Sequence, residues 1–133
     1  MRASNEPLEL ALYARDAGAA RGDAMAVCWP RSTDEVAGAV RVARSHGLPF
    51  VARGSGTGLA GGATPFGDPV VIVTTRMNRI VDVDPRARVA WVEPGVLNLD
   101  LSRAVAVHGL HFAPDPSSQQ TCSIGGNVAN NSG

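Results

Sequence analysis

Short aliphatic runs alternate with stretches rich in glycine, proline and serine along this chain, and the spacing of the apolar positions predicts a mixed set of elements. Leu8 and Leu12, four residues apart, predict a short helix over Leu8–Ala14, followed by a loop-like Gly18–Gly22 stretch. Ala26–Trp29 reads as a strand that Pro30 ends. Ser32 then opens a helix: its hydroxyl can accept from the Glu35 N–H while Glu35 reaches back to Ser32. Val36, Ala39, Val40 and Ala43 fall on one face of that helix, and Gly47 supplies a left-handed stop. Phe50–Ala52 is the next strand and runs straight into Arg53 and a glycine loop.

Val70–Thr74 reads as a buried strand. Arg79–Val83 and Arg88–Glu93 are two more, joined by Asp84-Pro85-Arg86-Ala87, where Asp at the first position and Pro at the second favour a type I turn. Pro94-Gly95 closes the hairpin. A second helix, Asn98–Val107, points Leu101, Ala104 and Val105 inward and stops at Gly109. His46-Gly47-Leu48-Pro49-Phe50 is echoed by His108-Gly109-Leu110-His111-Phe112; each is expected to lead into a strand and a glycine- and serine-rich loop, and a structural duplication is one reading of the echo. The irregular order of elements predicts an α+β fold rather than a regular strand–helix alternation.

Composition narrows the function. The 133 residues suffice for one modest domain. The formal charge is zero and the charges are scattered, which gives no footprint for nucleic acid. All twelve basic residues are arginine, so a Schiff-base lysine and a P-loop lysine are excluded. Cys28 and Cys122 are far apart and form no C-x-x-C, as expected for reduced thiols in a cytoplasmic protein. The longest aliphatic run, Val70–Val73, is far too short to span a bilayer.

Two loops carry the candidate chemistry. In Arg53-Gly54-Ser55-Gly56-Thr57-Gly58-Leu59-Ala60-Gly61-Gly62, five of the nine residues from Gly54 to Gly62 are glycine. Such a run lets successive N–H groups converge on an anion, and Ser55 and Thr57 add hydroxyls. Gly56–Gly61 also matches the dinucleotide pattern G-x-G-x-x-G, but that reading needs the glycines to open a helix. Here Gly62, Thr64, Pro65, Gly67 and Pro69 follow, which argues against it. The second loop runs from Pro114 to Asn127: prolines stiffen its start, four hydroxyls supply donors, and Gly125-Gly126 permits close backbone approach. The pair reads as two walls of one elongated ligand.

Other residues have plainer readings. His46, His108 and His111 are too dispersed for a metal site, and the first two suit helix C-termini. Trp29 and Trp91 read as core. Asp82, Asp84 and Asp115 lack a paired carboxylate, Arg76 and Arg79 read as solvated, and Cys122 is placed where it could approach a cofactor.

Taken together, PRSTDEVAGAVRVARSHGLPFVARGSGTGLAGGA, VEPGV and HGLHFAPDPSSQQTCSIGGNVANNSG resemble the FAD-binding, PCMH-type domain of the vanillyl-alcohol-oxidase flavoproteins. They are similar in particular to the flavin subunits of bacterial glycolate oxidases and to the D-lactate and D-2-hydroxyglutarate dehydrogenases. The resemblance covers about Leu8 to Gly133. It implies two small α+β subdomains holding FAD between them, with residues 1–24 a helical extension and 25–133 the FAD domain, incomplete at its C-terminus. Arg53, Gly54, Ser55, Gly56, Thr57, Gly58, Leu59 and Gly62 would wrap the diphosphate; Pro94, Gly95 and Val96 would lie along the cofactor. Pro114, Asp115, Ser117, Ser118, Ser123, Gly125, Gly126 and Asn127 would form the second wall, towards the ribityl chain and flavin. Some relatives attach FAD through a histidine in the first loop; Thr57 stands at the matching position, which implies non-covalent FAD.

The resemblance further implies an FAD-dependent oxidation of a small 2-hydroxy acid, with glycolate and D-lactate as leading substrates. In that chemistry a base takes the hydroxyl proton while hydride passes from C2 to flavin N5. No catalytic base or metal ligand is assignable here, and the chain is expected to be inactive alone. An iron–sulfur or other electron-transfer subunit is the expected partner, with a cytoplasmic location or peripheral attachment to the inner membrane through it. Two other readings stay open: the FAD domain of a different flavoenzyme of the superfamily, such as a sugar-alcohol oxidase or a cell-wall precursor reductase, and a non-catalytic FAD- or nucleotide-binding module.

Overall fold

The computed structural model describes residues 1–132. Its larger sheet has four strands in the order β1 (Arg2–Ser4), β2 (Ala26–Trp29), β4 (Val70–Val73), β3 (Phe50–Arg53). β4 lies between β2 and β3 and is parallel to both, with Val27 opposite Val71 and Arg53 opposite Val73. Central parallel strands are buried on both faces and therefore read as continuous aliphatic runs. Val27 and Val71 are fully buried accordingly and pack with Trp29, Val73, Leu10 and Tyr13 on one face. Cys28, Ala39 and Ile72 form the other face beneath α2 (Thr33–Ser45).

β1 was not legible in the sequence. It pairs antiparallel with β2, and Arg2 lies over the Trp29 ring and pairs with Glu9. The helix read over Leu8–Ala14 is shorter, α1 (Pro7–Ala11), and leaves Leu8 and Leu12 exposed.

Helix α2 starts as its sequence indicates. Ser32 Oγ accepts from the Glu35 N–H at 3.2 Å, but the Glu35 carboxylate takes the Arg31 N–H at 2.8 Å, not that of Ser32. Gly47 and Gly109 both end helices at positive φ, +66° and +67°. The likeness of the two segments ends there. After Gly47 the chain enters β3, whereas after Gly109 it forms no strand. The echo is therefore a repeated helix stop, because both helices need a left-handed residue to turn away.

The second sheet is the hairpin of β5 (Ile80–Asp84) and β6 (Val89–Val92). Asp84 Oδ1 accepts from the N–H groups of Arg86 and Ala87 and closes the turn. A bulge between Ile80 and Asp82 turns Val83 inward, where it packs with Ala90 and Val92 on α3 (Asn98–Val105). Trp91 falls on the opposite face, 53% exposed, which overturns its reading as core. Ala104 is also exposed rather than inward; Leu101 and Val105 carry the buried face of α3.

The second loop does not remain a loop. Ile124–Asn130 forms a helix, α4, so Gly125, Gly126 and Asn127 are helical. A main-chain seam joins the two halves: Gly95 N–H donates to Met77 O at 2.7 Å, Gly125 N–H to Pro94 O at 2.8 Å, and Ile124 N–H to Val96 O at 2.8 Å. A Cβ on Gly95 would lie 2.5 Å from Thr74 O, so only glycine fits that crossing.

Candidate functional site

The parallel strands deliver the first loop. β3 ends at Arg53, and residues 54–69 pass over the end of the sheet before β4 begins. No helix follows the glycines, which removes the Rossmann reading. Gly56 and Gly61 hold positive φ, +75° and +81°, a backbone conformation that glycine adopts without strain. Among the described residues, no backbone N–H from Ser55 to Ala60 donates to another protein group. The loop thus presents six successive free donors, a geometry that suits an anion.

The second wall comes from Ser118, Cys122, Ser123 and α4. It meets the first across a single cavity of about 410 Å³. Arg53, Gly54, Ser55, Gly56, Thr57, Gly58 and Gly62 line one side; Pro94, Ser118, Ser123, Gly125, Gly126 and Asn127 line the other. The remaining candidates lie outside this lining. Leu59 turns its side chain to solvent, Gly95 is buried in the seam, and Val96 is in the core with Leu101 and Ile124. Pro114, Asp115 and Ser117 lie on the approach to the wall, the last two exposed.

Arg53 is not a free cation. Its guanidinium donates to Arg15 O at 2.8 Å and to Ala63 O at 3.3 Å, lies over the Tyr13 ring, and is 8% exposed. Burial lowers its pKa, opposed by Tyr13 and Asp16. The side chain fixes the loop from below: a Cβ on Gly56 would lie 2.2 Å from Arg53 Nη2.

Ser123 is the N-cap of α4, yet its hydroxyl caps nothing. Oγ is buried with no hydrogen-bond partner among the described residues, and it faces Gly54. A buried hydroxyl without a partner is costly, and its place in the lining suits a ligand acceptor. Behind it, Asn98 Nδ2 donates to Pro114 O at 3.0 Å and to Asn127 Oδ1 at 3.2 Å, while Asn127 Nδ2 contacts Cys122 Sγ at 3.4 Å. This buried set locks the second wall onto α3. Six free amides, an unpartnered hydroxyl and glycines at the closest approaches fit an extended, diphosphate-bearing cofactor.

Sequence reasoning missed Asp16, Ala52, Ala63, Thr74, Ala129 and Ser132 in the lining. Asp16 had a local signal, the Asp-Ala-Gly turn in which Oδ1 accepts from the Gly18 N–H at 2.8 Å. Thr74 had none; its hydroxyl donates to Arg53 O at 3.3 Å across the sheet. Among the described residues no three His, Cys, Asp or Glu side chains gather as a metal cluster, and no helix is long and apolar enough to cross a membrane.

Residues 24–133 match the family described as FAD binding domain. The glycolate oxidase subunit GlcD of Escherichia coli (strain K12) is 50% identical over 107 residues, covering 80% of this chain and 21% of that protein. A D-lactate dehydrogenase of Anaerostipes hadrus is 37% identical over 125 residues, covering 94% of this chain and 25% of that protein. Among solved structures, substrate-bound p-cresol methylhydroxylase superposes with a TM-score of 0.79 at 21% identity, over 95% of this chain and 26% of that one, a likeness of fold. The chain thus spans about a fifth to a quarter of the length of the curated relatives it matches.

Proposed function

Because the chain belongs to the FAD binding domain family, we propose that the cavity shared by its two loops is the seat of an FAD held without a covalent bond, within an FAD-linked oxidoreductase acting on a small 2-hydroxy acid of the glycolate or D-lactate type. The carrying observation is that two loops far apart in sequence line one crevice. The free N–H groups of Ser55–Ala60 hold the diphosphate, and Thr57 offers no imidazole for a histidine-type link to the flavin. Ser123 Oγ donates to an oxygen of the cofactor, and the Gly126 N–H, which has no protein acceptor among the described residues, adds a further donor. Pro94 and Gly125 pack edge to edge and leave no room for a side chain on Gly125 at that wall. When bound, the flavin supplies hydride and electron acceptance; the chain supplies orientation and a fixed field of amide dipoles.

The glycolate oxidase and D-lactate dehydrogenase relatives are what support this substrate class. The partner we infer is an electron-transfer subunit, a reading supported by the relative GlcD being a subunit of glycolate oxidase. The test is direct. Purified chain is mixed with FAD, free flavin is removed by gel filtration, and retained absorbance is measured. Stoichiometric retention supports the reading; loss of all flavin, in this chain and in a form of the relatives' length, ends it. Reduction of the bound flavin by glycolate or D-lactate in the longer form tests the substrate.

A further inference from the structure

Asp16 precedes the stretch that matches the FAD binding domain, which begins at residue 24. It is nevertheless 6% exposed and lines the cavity. Its two carboxylate oxygens are divided between two chain segments: Oδ1 accepts from the Gly18 N–H at 2.8 Å and Oδ2 from the Gly61 N–H at 2.9 Å. Ala17 N–H donates to Gly58 O at 3.0 Å alongside. Gly18 approaches the Leu59 carbonyl so closely that a Cβ would lie 2.6 Å from its oxygen. The segment 16–18 therefore lies against the underside of residues 58–61 with no room between them.

We propose that Asp16 is a positioning residue for the first glycine loop, setting the path along which its free amides face the diphosphate; this rests on the flavin reading above. A bare carboxylate beside a diphosphate would repel it. Here both oxygens are engaged by N–H groups. The Arg53 guanidinium, beneath Gly56, balances the charge while the carboxylate lies beneath Gly58. Gly61 is the one residue in the stretch from 55 to 61 whose N–H is taken by a protein acceptor. Its capture fixes the loop's far end, as β3 fixes its near end.

The test uses the whole chain and two variants, Asp16→Ala and Asp16→Asn. In flavin-free protein, the Gly61 amide is expected to exchange at least about tenfold faster in Asp16→Ala, and less so in Asp16→Asn, which keeps one acceptor oxygen. FAD affinity is expected to fall about tenfold in Asp16→Ala. Riboflavin, which has no diphosphate, is expected to bind both forms equally. Should the alanine variant fail to fold, the asparagine variant carries the same comparison. An unchanged Gly61 exchange rate, or equal losses for FAD and riboflavin, overturns the proposal. Failure of both the wild-type chain and a form of the relatives' length to bind FAD ends the flavin reading instead, and the amide exchange still decides whether Asp16 sets the loop.

Discussion

Gly54 and Ser123 touch across the crevice: a Cβ on Gly54 would lie 2.4 Å from Ser123 Oγ. The first loop and the N-cap of α4 are thus in contact at the one place, among the described residues, where a buried hydroxyl has no protein partner. Ser123→Ala is expected to leave the melting temperature of flavin-free chain unchanged or slightly raised, because it removes an unsatisfied group. The same change weakens FAD binding, by about 1 kcal/mol for one lost hydrogen bond. Melting curves with and without FAD separate the two effects; equal stabilisation by FAD in both forms would refute the assignment.

Gly54→Ala drives a methyl group into that hydroxyl and is expected to lower both stability and FAD retention. Combining it with Ser123→Ala makes room and restores part of the stability. A double-mutant cycle on melting temperature is the measurement; strictly additive losses would show that the two residues do not meet.

Asn98 is 1% exposed and holds Pro114 and Asn127 with one amide nitrogen. Asn98→Ala leaves a carbonyl and an amide oxygen without their donor, at a cost of about 2–3 kcal/mol. Urea unfolding reads this cost. A change under about 0.5 kcal/mol, the range of ordinary surface substitutions, would mean that the second wall is held by other contacts.

The acid side of the stability profile is set by paired carboxylates at the surface. Side-chain hydrogen bonds from Arg79 hold Glu93 below its ordinary pKa, and the Arg31 N–H with the terminal amine does so for Glu35. A depressed folded-state pKa adds stability that is complete above the unfolded value, about 4.3 for glutamate, and is lost as pH falls through the folded one. Melting temperature is expected to hold steady down to about pH 5 and to decline below it. Glu93→Gln should shallow that decline, and high salt should shrink the difference because the pair faces solvent. An acid limb identical to wild type would exclude the pair as a contributor.

Cys28 and Cys122 are both buried and free, and burial pushes the Cys28 thiol up. Neither should react with a thiol reagent at neutral pH until the chain unfolds. Two equivalents released only in denaturant is the expected titration.

Local signals carried much of this structure. The aliphatic run at Val70–Val73, the Ser32 cap, the left-handed glycines and the side-chain-poor loop after Arg53 each act within a few residues and were readable as such. Long-range relations were not. Asp16 meets Gly61, 45 positions further along the chain, and nothing in Arg15-Asp16-Ala17 alone announces that partner. β1 has too little pattern to mark a strand, since its stability comes from the β2 edge it covers. α4 was hidden by Gly125-Gly126, which disfavour a helix in isolation; its first two amides, of Ile124 and Gly125, are taken up by Val96 and Pro94, far earlier in the chain. Trp91 misled because strand membership does not say which face is covered.

The seam at Gly95 and Gly125 is made of main chain on both sides. Substitutions elsewhere can recolour the crevice, exchanging a serine for a threonine or an alanine for a valine, without altering how far apart its banks stand. Separation and lining are therefore independently inheritable, so a single cofactor could be kept while the surrounding protein diversified its appetite.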